Sequence, residues 1–213
     1  MPDESAFNDG DCPFCDPEAV KHYLLHASDN FYVIADFAPV SEGHLLLVPR
    51  DHYPHIAALP PELDNEFESL KALLGDYVRR NHGSLTYWEN GVFGQSVPHA
   101  HLHAMSITID AAIFGDAGFE FEGVAGLREH YAAVGDGRYF MIEHEGVARV
   151  MPPNPELYSK VIRHARERNA GLWRYNPMER RMHGLPVIDA TRRRWAKEQR
   201  ASAQDGPKSH SVT

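Results

Sequence analysis

Residues 94 to 105, Gly94-Gln95-Ser96-Val97-Pro98-His99-Ala100-His101-Leu102-His103-Ala104-Met105, set histidine at every second position of one short run. In an extended strand alternate side chains share a face, so the run predicts three imidazoles on one face with next neighbours roughly 7 Å apart. The small and apolar residues between them then turn to the other face, into a core. Imidazole fills a core poorly, and each buried ring needs a hydrogen-bond partner. Three in a row therefore mark a site rather than packing. Two histidines one residue apart on a strand also chelate zinc, so the run alone leaves metal binding and phosphorus chemistry open.

The chain has 213 residues, 43% hydrophobic and 24% charged, which suits one domain with a substantial core or a domain plus an extension. Its net charge is -9, from 21 basic and 30 acidic residues. No global grip on nucleic acid or an anionic membrane is expected from that balance, whereas a small phosphorylated ligand needs only local donors. The first residues, MPDESAFNDGDC, lack a basic segment followed by an apolar run. No stretch approaches the ~18 apolar residues of a membrane helix, so a cytoplasmic protein is expected. Two cysteines, Cys12 and Cys15, are spaced Cys-Pro-Phe-Cys. In a reducing compartment that spacing points to a metal or to redox chemistry, and the absence of a strand before it favours zinc.

Outward from the histidine run, the elements are of mixed type. Asp16-Pro17-Glu18 predicts a short helix to about His22. Phe31–Asp36 and His44–Val48 read as an antiparallel pair of strands around a loop with Pro39 and Gly43. Residues 60–82 read as the longest helix, with Leu63, Phe67, Leu70, Leu74 and Tyr77 on one stripe and Gly83 at its end. Leu85–Glu89 and then His99–Ile109 are expected strands. The order gives an α+β fold, an antiparallel sheet packed with one long helix.

Beyond Asp110 glycines punctuate the chain around a helix Leu127–Val134. Tyr139–Glu143 and Val147–Met151 predict a hairpin turning at Glu145-Gly146, and Asn154 with Pro155 opens a helix to about Asn169. The basic segment Arg174–Arg200 reads as a solvated helix face. The expected division is a disordered 1–11, a domain 12–110, a mixed α/β extension 111–202 and a disordered tail 203–213. Trp88, Trp173 and Trp195 are expected to pack.

The run His99-Ala-His101-Leu-His103-Ala-Met resembles the signature of the histidine triad (HIT) family of nucleotide hydrolases and transferases. Gly94-Gln95-Ser96-Val97 before it is similar to the family's pattern. So are Asp36-x-x-Pro39 with Gly43-His44, an apolar strand, Pro49, and His52 three residues later. Asn90 looks like the family's asparagine, and an N-terminal Cys-x-x-Cys occurs in bacterial members. The likeness covers about residues 12–110 and implies a HIT-like fold; with the flanking residues, nucleotide chemistry outweighs a metal at the triad.

The resemblance implies catalytic roles for His99, His101, His103 and Ser96. His101 would attack the α-phosphorus of a purine nucleotide or dinucleotide, such as a phosphoramidate or dinucleoside polyphosphate, and form a nucleotidyl-histidine that water resolves. His103 would donate to phosphate oxygens, and Ser96 would help protonate the leaving atom. Asp36, Phe37, Asn90, Gln95 and Ser96 would bind the nucleotide, with Asp36 on the ribose and Phe37 beside the base. The family's uridylyltransferase and phosphorylase branches carry glutamine at the third triad position, so His103 favours hydrolysis. The alternatives are a nucleotidyltransferase or phosphorylase using the same histidine, and a nucleotide-binding sensor whose extension meets a partner. By the same likeness Cys12, Cys15, His52 and His99 would hold a structural zinc ion, with His55 and His44 as spare ligands, while the chemistry needs no cofactor. A homodimer through the helix and strand edges is expected, unless the extension covers them.

Overall fold

A computed structural model describes residues 12–134, 137–169 and 171–204. The expected disordered N-terminus, 1–11, lies outside the described residues, as does the tail beyond Gln204. The strands are β1 (Leu24–Ala27), β2 (Phe31–Ala35), β3 (Leu45–Pro49), β4 (Thr86–Glu89), β5 (Leu102–Met105), β6 (Phe119–Phe121), β7 (Phe140–His144) and β8 (Val147–Met151). The helices are α1 (Pro17–Lys21), α2 (Asp64–His82), α3 (Gly123–Val134), α4 (Pro155–Arg168) and α5 (Pro177–Gln204). All eight strands form one antiparallel sheet in the order β1-β2-β3-β5-β4-β7-β8-β6. The α+β architecture read from the sequence is the one found.

Strands β2, β3 and β4 are buried on both faces, which explains why FYVIA and LLLVP run without polar alternation. One face, with Val33, Leu45, Leu47, Leu102 and Tyr87, packs on Phe67, Leu70, Leu74 and Tyr77 of α2. The other face carries Ile34, Leu46 and Val48 beneath the Cys12–Val20 segment, and Trp88, Phe140 and Ile142 beneath α4. His103 pairs in register with Leu46 and with Trp88, so its side chain falls on this second face, away from α2.

The residues after Asp110 extend the same sheet. β7 pairs along the whole of β4, from Thr86↔His144 to Glu89↔Met141. Helix α3 joins α2 through Arg128, whose guanidinium donates to both oxygens of Asp64 at 2.7 and 3.2 Å. Helix α5 packs its buried Ile188, Thr191 and Trp195 inward, with Trp195 5.0 Å from the Tyr77 ring. Most of its basic residues are exposed, as the composition of that segment predicts, while Arg180 is half-buried. Helix and strand edge, the two surfaces through which a dimer was expected, are thus covered by the chain's own extension. Trp88, Trp173 and Trp195 are all buried packing residues.

Candidate active site and metal centre

The expected strand His99–Ile109 is shorter than its histidine pattern suggested. Only Leu102–Met105 pair as a strand, so His103 alone of the triad lies in the ladder. Upstream, the His99 amide bonds to Val97 O at 2.8 Å and the Ala100 amide to Tyr53 O at 2.7 Å, which draws that backbone out of the sheet. Downstream, Asn169 takes both the amide and the carbonyl of Thr108. The three imidazoles nonetheless stay on one side: the rings of His101 and His103 are 4.8 Å apart, and Phe14 meets those of His99 and His101 at 5.6 and 5.4 Å. Each takes a different hydrogen-bond partner.

His99 turns toward the cysteines. Its Nδ1 lies 3.4 Å from Cys12 Sγ and 3.5 Å from Cys15 Sγ, and His52 Nδ1 lies 3.3 Å from Cys15 Sγ. Donor atoms of all four residues lie within 4.8 Å of one another. Neighbouring S and N ligands of a tetrahedral zinc ion stand about 3.5 Å apart, from Zn–S and Zn–N bonds of ~2.3 and ~2.0 Å. His99 Nε2–H donates to Pro49 O at 2.9 Å, which leaves the Nδ1 lone pair for a metal and fixes the ring, as second-sphere partners of ligating histidines do. Cys12, Cys15, His52 and His99 are a possible metal site, and their N2S2 set suits zinc. His55 packs between the rings of Tyr131 and Tyr139 instead, at 5.0 and 5.4 Å.

His101 is buried, 4% exposed, and packs its ring edge-on to Phe14, 5.4 Å away. Its Nδ1–H donates to the His99 carbonyl at 2.6 Å, so Nε2 keeps its lone pair. Burial, reinforced by the neighbouring His103, pushes its pKa down to about 3. The ring is neutral at neutral pH, the form a nucleophile needs.

His103 sits 4.8 Å from the His101 ring, with Nδ1 2.9 Å from His44 Nε2. The Val40 amide donates to His44 Nδ1 at 3.2 Å, and burial holds the His44 pKa down at about 3. Neutral His44 therefore carries its proton on Nε2 and donates it to His103 Nδ1, which leaves a proton on His103 Nε2; these tautomers follow from the hydrogen-bond network. Asp36 Oδ2 stands 3.4 and 3.6 Å from His44 and His103, and Oδ1 accepts from the Ala38 amide at 2.6 Å. Burial alone would raise the Asp36 pKa, but His44, His103 and that amide outweigh it and hold the carboxyl ionised. These three donor sets also lie within metal-ligand reach of one another. The 2.9 Å contact between the two imidazoles marks a shared proton instead. The sequence placed Asp36 on the ribose and His44 as a spare zinc ligand; their place behind His103 is what it missed.

Asn90 Oδ1 accepts from Trp88 Nε1 at 2.8 Å and Tyr158 OH at 3.1 Å. Two donors on the oxygen fix the orientation of the amide. Gln95 Nε2 donates to Pro54 O at 3.2 Å, and Ser96 is exposed on the loop before the triad. The loop is braced from the extension: the Tyr139 amide donates to Gly91 O at 3.0 Å, and the Tyr139 ring leaves no room for a Cβ on Gly91. Val92 there adopts φ 69°, a strained value for a β-branched residue and one that gathers at functional sites. Phe37, half-buried, has Phe14 at 6.3 Å and Tyr23 at 6.2 Å.

Residues 18–108 match the HIT domain model. Among curated proteins, the adenylylsulfatase HINT3 of Arabidopsis thaliana is 30% identical over 109 residues, covering 47% of this chain and 54% of that protein. The zinc finger CCCH domain-containing protein 64 of the same plant is 24% identical over 106 residues, or 49% of this chain and 17% of that one. The chain thus spans about half or less of the length of these relatives. Among solved structures, a hypothetical histidine triad nucleotide-binding protein from Sulfolobus tokodaii superposes at a TM-score of 0.40 with 24% identity, covering 44% of this chain and 67% of that one. A zinc-bound histidine triad family protein from Mycobacterium smegmatis gives 0.38 and 23%, over 46% and 76%. No helix among the described residues is long and apolar enough to cross a membrane.

Proposed function

We propose that the protein, whose residues 18–108 match the HIT domain model, is a nucleotide hydrolase working through a covalent nucleotidyl-His101. The observation that carries this is the His101 ring, neutral, with Nδ1–H held by the His99 carbonyl and Nε2 left unprotonated. In the first step Nε2 forms a bond to the α-phosphorus as the bond to the leaving group breaks, and the leaving atom takes a proton, for which exposed Ser96 is the donor at hand. In the second, water attacks the same phosphorus, the N–P bond breaks, and a nucleoside monophosphate departs. His103 Nε2–H donates to the phosphate oxygens as charge develops. The Asn90 amide NH2 and Gln95 meet the phosphate side of the nucleotide, and Phe37 meets the base. Asp36 serves first to hold His44 and His103, with any ribose contact made beside that duty. Zinc on Cys12, Cys15, His52 and His99 supplies a rigid anchor for the segment that carries His101.

The substrates that fit are purine nucleotides with a leaving group on the α-phosphate: phosphoramidates, dinucleoside polyphosphates and, from the name of the plant relative, adenylyl sulfates. The test is release of nucleoside monophosphate from a panel of all three, with and without inorganic phosphate. We expect monophosphate release independent of inorganic phosphate, and its loss in His101→Ala while nucleotide binding persists. Undiminished turnover by that variant would overturn the reading.

A further inference from the structure

Helix α5, outside the HIT domain, crosses the site over the loop that follows Asp36. Gly184 lies against Pro39, where a Cβ would come within 2.6 Å of the proline ring, and Arg180 donates Nε–H to Ala38 O at 3.2 Å. This docking sets the next residue, Arg181, with its guanidinium 5.1 Å above the Phe37 ring. Among the described residues its guanidinium makes no hydrogen bond or ion pair. Beneath it is a cavity of about 480 Å³, lined by Phe14, Tyr23, Phe37 and Val97 from the HIT side and by Arg181 and Leu185 from α5.

Phe14 joins this cavity to the chemistry, because its ring also meets His101 at 5.4 Å. On the hydrolase reading above, a nucleotide with its α-phosphorus at His101 places its base here. We propose that Arg181 is a specificity-determining residue, supplied by the extension, that selects guanine over adenine.

The cavity walls are apolar except for the Tyr23 hydroxyl and Arg181. A guanidinium only donates, in a fixed fork. Guanine offers O6 and N7 together as acceptors, whereas adenine sets an amino donor beside N7, which a guanidinium cannot satisfy. Stacking on Phe37 holds the fork in place without consuming its N–H groups.

The test rests on the hydrolase reading for its kinetics but carries a binding readout independent of it. GMP and AMP affinities are measured by calorimetry, and kcat/KM for guanosine and adenosine phosphoramidates, in the wild type, Arg181→Met and Arg181→Lys. Arg181 is exposed, so both variants keep the fold. We expect the wild type to favour guanine about tenfold in both measurements, and Arg181→Met to bring the ratio close to one by weakening the guanine member alone. Arg181→Lys falls between them. Equal affinities in the wild type, or an equal loss for both bases in Arg181→Met, would overturn the proposal. If neither phosphoramidate is cleaved while GMP still binds about tenfold more tightly than AMP, the hydrolase reading fails and this one stands. If neither nucleotide binds, both fall.

Discussion

His101 donates its Nδ1–H to the main-chain carbonyl of His99 across 2.6 Å, while the His99 side chain faces Cys12 and Cys15. One residue thus belongs to two arrangements. Its imidazole closes the sulfur–nitrogen cluster, and its carbonyl sets the tautomer of the next histidine but one. Anchoring the first fixes the second.

On the proposed function, that link would tie zinc at these four residues to catalysis as well as to stability. Metal-replete protein is expected to hold about one zinc per chain, and Cys15→Ala to hold far less. Loss of a structural ligand set by about 2 kcal/mol lowers Tm by roughly 4–8 °C in a chain of this size. Because the His99 carbonyl then loosens, kcat should fall more than KM rises. Elemental analysis, calorimetry and steady-state kinetics read the three effects. Well under one equivalent of zinc in metal-replete wild type would remove the metal from the account.

His44 should act through His103. Replacing it with leucine takes away the Nε2–H that His103 Nδ1 accepts, so the proton on His103 Nε2 is no longer assured. We expect kcat about 10–100-fold lower with nucleotide affinity nearly unchanged. His44→Gln, whose amide can still donate, should recover part of it. A loss of affinity equal to the loss of kcat would instead make His44 a binding residue.

Glu89 predicts a pH dependence of stability. It is fully buried, accepting from Tyr139 OH at 2.6 Å and the Ile56 amide at 2.7 Å. Burial pushes its pKa up to about 7 from 4.5, against those hydrogen bonds. The native state therefore binds the proton more tightly than the unfolded chain. That contribution is complete below about pH 4.5 and is lost as pH rises through about 7, a change of up to about 3 kcal/mol. Urea midpoints across this range should fall with pH in the wild type more steeply than in Glu89→Gln. Parallel slopes in the two proteins would show that Glu89 does not titrate there.

The extension should replace a second copy. With the β4 edge paired to β7 and α2 flanked by α3 and α5, no long strand edge or helix stripe of residues 18–108 is left open among the described residues. Light scattering after size exclusion is expected to return the mass of one chain; a concentration-independent dimer would place the interface elsewhere.

Much of the site was legible because its residues are close in sequence or rest on a family pattern. Cys12, Cys15, His52 and His99 do converge, and His101 Nδ1–H is held by the His99 carbonyl. The length of the triad's strand was not legible. Alternation is a property of a paired strand, and the pairing of Val97, Tyr53 and Asn169 with the backbone ends that strand early. The strand β1 was missed because Leu24–Ala27 is four residues with a bulge against β2. Nor could spacing reveal that Tyr139, Tyr158 and Arg181 reach back to Gly91, Asn90 and Phe37. Those contacts span dozens of residues; the one from Tyr139 depends on β7 finding the edge of β4, and that from Arg181 on the docking of α5. The helical reading of Arg174–Arg200 had a usable signal in Ile188, Thr191 and Trp195, which mark a face that had to pack somewhere.

The central claim is that the phosphorus passes through His101. The most direct measurement is intact mass and peptide mapping of the protein quenched in acid-free denaturant during turnover of a nucleoside phosphoramidate. The account predicts one nucleoside monophosphate bound to the peptide containing His101, absent from His101→Ala. Nucleoside monophosphate released at the wild-type rate by His101→Ala, with no adduct on either protein, would contradict it.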